Sequence, residues 1–339
     1  MYLHLVTKRS YSIFLLIYIF YSTSLFAQNT QIRGFVDALA SYNKSKVSFG
    51  FGEQDLFITS ELSDRLSFLG ESVFKYTPSS PTEFSVSVER IVIKYNIEGN
   101  NNIIIGKIHT PLNYWNDTYH HGRLLFPTIE RPLLFAEQII PLHTTGLSFQ
   151  GHNLGKIKFG YDVVIGNGLG SADVLDNDKR KSFTAAVHIK PADKLRIGIS
   201  YYNDAIAKGS TVHERIINWK VNQNLFTGSA AYFGNKFELL AEGTLGNNKT
   251  DTTGSRSTLA SYIYTGYKIT EKLIPYIRLD NLNYDKGEIY YNKNNITSIV
   301  AGMRYQINYL AVIKLEYQHQ HAQQKGNTDK LTAQFAIGF

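Results

Sequence analysis

Charged and apolar side chains alternate along much of this 339-residue chain, and its candidate chemistry lies in that alternation. In the segment 310–320, Ala311, Ile313, Leu315 and Tyr317 oppose Lys314, Glu316, Gln318 and Gln320. In 236–245, Phe237, Leu239, Ala241 and Leu245 oppose Lys236, Glu238, Glu242 and Thr244. In 195–202, Leu195, Ile197, Ile199 and Tyr201 oppose Arg196, Gly198, Ser200 and Tyr202, and 156–165 sets Ile157, Phe159, Tyr161, Val163 and Ile165 against Lys156, Lys158, Gly160 and Asp162. Period two places successive side chains on opposite faces of a strand. One face is greasy and the other ionised. The ionised face is expected to carry the cations Lys156, Lys158, Lys190, Arg196, Arg278, Arg304 and Lys314 and the anions Asp162, Glu238, Glu242, Asp280 and Glu316. Acids and bases spread over many strands form an electrostatic surface. They do not converge on a reacting atom.

Other clusters are weaker candidates. His120 and His121 are adjacent, with Asp117 nearby, but neighbouring residues rarely chelate one ion together and no third ligand follows at a metal-site spacing. They read as wall-lining or loop-packing groups. His213-Glu214 lacks the second histidine of a zinc-binding helix. His319 with Ser298 or Asp280 has no distinctive context for nucleophilic catalysis. There is no cysteine, and no motif for a nucleotide or other cofactor. The positive charges are dispersed, without a basic cluster interleaved with aromatics, so nucleic acid is not an expected partner.

The elements that would position these faces are short strands in a regular rhythm. Tyr (23) and Phe (20) are abundant, Pro is scarce, and no linker or low-complexity tract breaks the pattern, which points to an all-β chain. Short connections at 62–65, 98–101, 153–155, 191–194, 234–235, 270–272 and 307–309 alternate with longer polar ones at 43–46, 77–83, 110–144, 166–180, 205–221, 247–255, 285–294 and 322–328. Fifteen connections imply sixteen antiparallel strands with both ends of the sheet on one side. In 84–95 the apolar set changes face near Arg90, as at a β-bulge. Periodicity is poor in the first two strands and in 212–225.

The longest connection, 110–144, carries Asp117, His120, His121, Arg123, Glu130, Arg131 and Glu137 beside Leu124, Leu125, Phe126, Leu133, Leu134, Phe135, Ile139 and Ile140. A free loop that apolar would expose a large patch, so it must pack on an inner wall, on a neighbouring subunit or as a lid. Pro111, Pro127, Pro132 and Pro141, half of the chain's 8 prolines, would stiffen it.

The two ends complete the pattern. Lys8 and Arg9 precede a mostly apolar run, 11–25, that ends Phe26-Ala27-Gln28, the layout of a secretory signal cut after Ala27 and leaving a mature chain 28–339. The last segment, 331–339, alternates through Phe335 and Ile337 to a terminal Phe339.

An exported chain of alternating strands that ends on an aromatic resembles a Gram-negative outer-membrane porin, of the porin-like type found in Bacteroidetes. The resemblance is architectural and spans the mature chain. It implies a transmembrane antiparallel up-and-down β-barrel of about sixteen strands, integral to the bacterial outer membrane, passing small hydrophilic solutes by passive diffusion. The modest excess of wall cations hints at anion preference. In such porins the third outer loop folds into the lumen, and here the third loop is 110–144. It lacks the Pro-Glu-Phe-Gly-Gly-Asp pattern of general porins, so its inward folding is an expectation from its apolar content. The resemblance further implies that Phe335, Ile337 and Phe339 are read by the barrel-assembly machinery, and that His319 and His321 meet lipopolysaccharide head groups at the outer rim. A homotrimer is implied as well. The rival readings are a soluble β-sandwich, a surface-binding or adhesion barrel, and a barrel enzyme of lipase or protease type.

Overall fold

The computed structural model describes residues 29–44, 46–77, 82–119, 122–168, 176, 179–212, 215–291 and 294–339. The expected signal segment 1–27 and the pairs His120-His121 and His213-Glu214 lie outside the described residues.

Among the described residues eighteen strands form, sixteen of them in one closed antiparallel barrel. They are β1 (Asn29–Asn43), β2 (Lys46–Glu61), β3 (Leu66–Tyr76), β4 (Phe84–Glu98), β5 (Asn101–His109), β6 (His143–Leu154), β7 (Phe159–Gly166), β8 (Ser182–Ala192) and β9 (Leu195–Ile206). A small hairpin, β10 (Thr211–Val212) and β11 (Arg215–Ile216), forms a separate two-stranded sheet. The ring continues with β12 (Val221–Phe233), β13 (Phe237–Thr250), β14 (Gly254–Tyr267), β15 (Leu273–Tyr284), β16 (Ile296–Asn308), β17 (Ala311–Ala322) and β18 (Gly326–Gly338). Each strand pairs with its sequence neighbour, β9 pairs with β12, and β1 pairs with β18 to close the ring. Closure leaves no open sheet edge, as a chain in lipid requires.

The alternation read in the sequence is the alternation of the wall. Ile313, Leu315 and Tyr317 face outward and are exposed, whereas Lys314 and Glu316 face inward and are buried. Ile277 and Leu279 face out while Arg278 and Asp280 face in. The exposed apolar belt is the surface a bilayer covers, and a mid-depth Lys or Arg placed on it would cost ~2–4 kcal/mol. No helix among the described residues is long and apolar enough to cross a membrane.

Three of the connections read as long loops are largely strand. Asn247 to Thr250 pair with Gly254 to Ser257, Asn43 pairs with Lys46, and Ala322 pairs with Gly326. A 14-residue strand such as β13 is roughly 45 Å long, which at barrel tilt exceeds an apolar band of roughly 25 Å. The overhang meets water, so its composition is polar although its backbone is paired.

The phase change in β4 is a bulge. Glu71 pairs with Arg90 and Ser72 with Val88, leaving Glu89 as the extra residue. Outward positions therefore pass from Phe84, Val86 and Val88 to Ile91, Ile93 and Tyr95. A second irregularity separates Val36 from Ala38 in the β1–β2 ladder. There the Glu53 N–H donates to the inward Asp37 carboxylate (2.9 Å), and a Cβ on Gly52 would fall 1.9 Å from that carboxylate. The seam β1–β18 ends in reciprocal bonds of 3.0 Å between Gly34 and Phe339.

Candidate functional site

The inner wall does not face an empty cylinder. Between β5 and β6 the chain forms two short helices, α1 (Tyr114–Thr118) and α2 (Leu133–Ala136), and packs a buried apolar face against β12 to β17. Trp115 is buried between the rings of Phe126 (5.1 Å), Phe135 (6.1 Å) and the wall residue Tyr262 (6.2 Å). Leu134, Ile139 and Ile140 are buried in the same cluster. Segment 110–142 thus takes the first of the three options its apolar content leaves open.

The wall charges hold this segment chiefly by its main chain. Glu242 accepts N–H bonds from Tyr114 and Trp115 and a bond from the Tyr262 hydroxyl. Asp280 accepts the Leu133 N–H at 3.0 Å, and Glu316 accepts the Ile129 N–H at 2.9 Å. Arg278 donates to the Glu130 carbonyl (2.7 Å) and the Thr128 hydroxyl (2.6 Å), and pairs with Asp280 at 2.8 Å. The Lys314 ammonium donates to the carbonyls of Arg123 (2.7 Å) and Thr128 (3.2 Å). The side chains of Arg278 and Asp280 are 0% exposed, and so is Lys314. These five residues were expected to line a wet lumen. They face inward as expected but are sealed beneath the loop, because a fixed peptide dipole replaces the water each ion would otherwise need.

The loop's own charges are paired too. Arg123 lies 3.3 Å from Glu53 on β2 and 3.8 Å from Asp37 on β1. Glu130 meets Lys330 of β18 at 3.0 Å. Burial pushes the Glu130 carboxyl upward, but Lys330 and Arg123 outweigh it and hold it below the usual carboxylate range. Arg131 stacks over Phe126 at 5.9 Å, and Asp117 pairs with Arg196 of β9 at 2.7 Å. Glu137 caps the end of α2 and is half-buried.

Two expected wall cations are misplaced. Lys156 and Lys158 lie exposed in the turn between β6 and β7, with Lys158 at φ 48°, so neither belongs to the wall. The apparent alternation runs through that turn because Ile157, at its tip, happens to keep the parity. Arg304 and Glu238 do share the wall: the guanidinium bonds Glu238 at 2.8 Å near the short-turn end, joined by the Tyr264 hydroxyl at 2.8 Å. Lys190 donates to Asn153 at 2.8 Å. Phe335 and Ile337 face outward, and His319 pairs with Asp329 (2.8 Å) while His321 bonds Asn327 (2.6 Å) on the exposed outer surface.

Unfilled space remains on the opposite side of the lumen, along β3 to β9. A cavity of about 210 Å³ is lined by Arg90, His109, Asp117, Gln150 and Asp162 together with Leu69, Val92, Ile104 and Ile108. Leu69 and Val92 also border a cavity of about 300 Å³ that reaches Asn29, Glu61 and Ser67 at the short-turn end. Of the expected site residues, Asp117, Asp162 and Arg196 border this space. The sequence reading missed Glu71, Glu89, Arg90, His109, His143, His152 and His188. The bulge at Glu89 hides the inward parity of Glu89 and Arg90, and His109 meets His143 only through the β5–β6 register across the longest loop.

With this geometry in hand, the fold has clear counterparts. An anion-selective porin from Comamonas acidovorans superposes with a TM-score of 0.67 at 10% identity, over 92% of this chain and 100% of that one. The outer membrane channel DcaP of Acinetobacter baumannii gives 0.66 at 12% identity, over 92% and 97%. OmpT, an outer membrane protein of Vibrio cholerae in a trimer form, gives 0.65 at 13% identity, over 93% and 100%. No protein-family model matches the chain, and no curated protein sequence matches it. At these identities the likeness defines the fold, a porin-like sixteen-strand outer-membrane barrel.

Proposed function

We propose that this protein is an outer-membrane diffusion channel for small hydrophilic solutes and not an enzyme. Loop 110–142 is its constriction. The observation that carries the reading is the asymmetric filling of the lumen. Buried wall charges fasten the loop against β12 to β18, while polar and ionised groups border the space along β3 to β9. A loop held rigidly against one wall narrows a passage by size, and the mixed charges left on the other wall impose a field across it. Asp117, Arg196 and Asp162 act at that narrowing. Arg123, Glu130 and Arg131 brace the loop. The likeness to an anion-selective porin supports a weak anion preference.

The remaining assignments follow the same reading. Segment 1–27 is a signal peptide removed on export. Phe335, Ile337 and Phe339 serve recognition by the barrel-assembly machinery. His319 and His321 contact lipopolysaccharide, and the barrel forms a homotrimer, a state named for OmpT.

The test is single-channel recording of the refolded protein in a planar bilayer, with reversal potential measured across a salt gradient. Discrete, long-lived conductance steps support a channel. A folded, inserted protein that carries no current refutes it and favours the surface-binding reading.

A further inference from the structure

The passage wall along β3 to β9 carries an unusual set of side chains. Two histidine pairs stand on it, each against carboxylates. His109 and His143 have ring centroids 5.5 Å apart. His109 lies 3.9 Å from Glu71, which also pairs with Arg90, and His143 lies 3.0 Å from Glu89. Nearer the short-turn end, His152 and His188 have centroids 5.4 Å apart. His152 is 3.2 Å from Asp162, and His188 Nδ1 is 3.2 Å from Arg196, which is itself paired with Asp117 of the loop. The wall makes room for one of these rings: a Cβ on Gly160 would lie 2.2 Å from the His188 imidazole. The 210 Å³ cavity links the two pairs, since Arg90, His109, Asp117 and Asp162 all line it.

We infer that these four histidines set the charge selectivity of the passage and make it depend on pH. The inference rests on the channel reading given above. The fixed charges facing the histidines come from every adjoining element. Glu71, Glu89, Asp162 and the loop's Asp117 are the anions; Arg90, Arg196, Lys190 and the loop's Arg131, which interacts electrostatically with Glu89, are the cations. Among the described residues these are four anions and four cations, so with neutral imidazoles this set is balanced. An imidazole titrates near pH 6.5 in the absence of other influences, the one side chain whose ordinary range spans neutrality. Each protonation adds one positive charge to this wall. Arg196, 3.2 Å from His188, opposes a second positive charge there, so the passage moves from balanced toward a positive excess carried chiefly by His109, His143 and His152. In a narrow, low-dielectric channel an excess of one sign concentrates the opposite ion.

The experiment measures reversal potential across a potassium chloride gradient at about pH 8 and about pH 5, which bracket the ordinary imidazole range. It uses the intact barrel and a variant with His109→Gln, His143→Gln, His152→Gln and His188→Gln. Glutamine keeps a polar side chain of similar reach without the titratable charge. The chloride-to-potassium permeability ratio of the unaltered protein rises several-fold on acidification, and the variant keeps one ratio at both values. The two-site variant His152→Gln/His188→Gln, further from the loop, retains part of the shift and guards against misfolding of the four-site variant. An equal ratio at both pH values in the unaltered protein overturns the inference, and so does an undiminished shift in the four-site variant. Either result leaves the channel reading standing, because both require measurable current.

Discussion

Asp280→Ala tests the idea that buried wall charges hold the loop. The side chain removed is fully buried, accepts the Leu133 N–H at 3.0 Å and compensates Arg278 at 2.8 Å. Its loss strands a buried guanidinium, and breaking a buried pair from one side costs ~3–5 kcal/mol. The strand ladders on either side of Asp280 are backbone bonds that the substitution leaves intact. The cost therefore falls on loop docking, and the undocked fraction rises by roughly two to nearly four powers of ten. The protein has no cysteine, and Leu134, on the loop itself, is 1% exposed, so Leu134→Cys supplies a unique buried thiol. Its labelling rate by a small polar thiol reagent reports undocking directly. The rate rises by that factor when Asp280→Ala is added, and single-channel current becomes larger and noisier. Replacing both partners, Arg278→Met with Asp280→Leu, removes the stranded charge and returns most of the protection, since an apolar pair of similar volume is tolerated where half an ion pair is not. Equal labelling in Leu134→Cys with and without Asp280→Ala would refute the argument.

The Glu130–Lys330 contact makes a separate pH prediction. Burial raises the Glu130 carboxyl, but Lys330 and Arg123 lower it further, so its pKa in the docked loop lies below the value of 4.5 it has when released. A depressed carboxyl stabilises docking above that value, and the contribution is lost as pH falls through the docked pKa. Labelling of Leu134→Cys should therefore accelerate only as pH falls below 4.5, and Lys330→Gln should remove most of that acid dependence. At the seam, a Cβ on Gly34 would sit 2.4 Å from the Phe339 ring and 2.6 Å from the Asp55 carbonyl oxygen. Gly34→Val should prevent closure of β1 on β18, seen as loss of the compact, heat-modifiable band in electrophoresis, whereas Gly50→Val, with open space around it, should fold normally.

Much of this architecture was legible in the chain because lipid enforces it. A charge facing the bilayer is so costly that parity alone places Lys314, Glu316, Arg278 and Asp280 on the inner wall. The β4 bulge was legible for the same reason, since the outward set must stay apolar even when the register slips. The strand ends were not, because above the bilayer nothing forces alternation: Asn247, Asn248 and Lys249 are paired backbone with a loop's composition. Nor does parity distinguish a charge in water from one beneath a loop. That depends on where a segment more than a hundred residues distant in sequence comes to rest, as with Ile129 and Glu316.

The mode of fastening has a consequence for how such a passage is tuned. Glu242, Asp280 and Glu316 take peptide N–H groups, and Arg278 and Lys314 bind peptide carbonyls, so these anchors recognise chiefly the loop's backbone path. A substitution on the loop's free face leaves the anchors untouched. Changing Asp117, which pairs with Arg196 at the border of the cavity, alters the field across the passage without releasing the loop. Changing a wall anchor does the reverse. It disturbs the position of the whole constriction although the anchor itself meets no solute. On the proposed channel reading, selectivity and constriction geometry are thereby separated onto different residues of one barrel, with the β3 to β9 wall and the loop edge facing it carrying the first and the β12 to β18 wall the second.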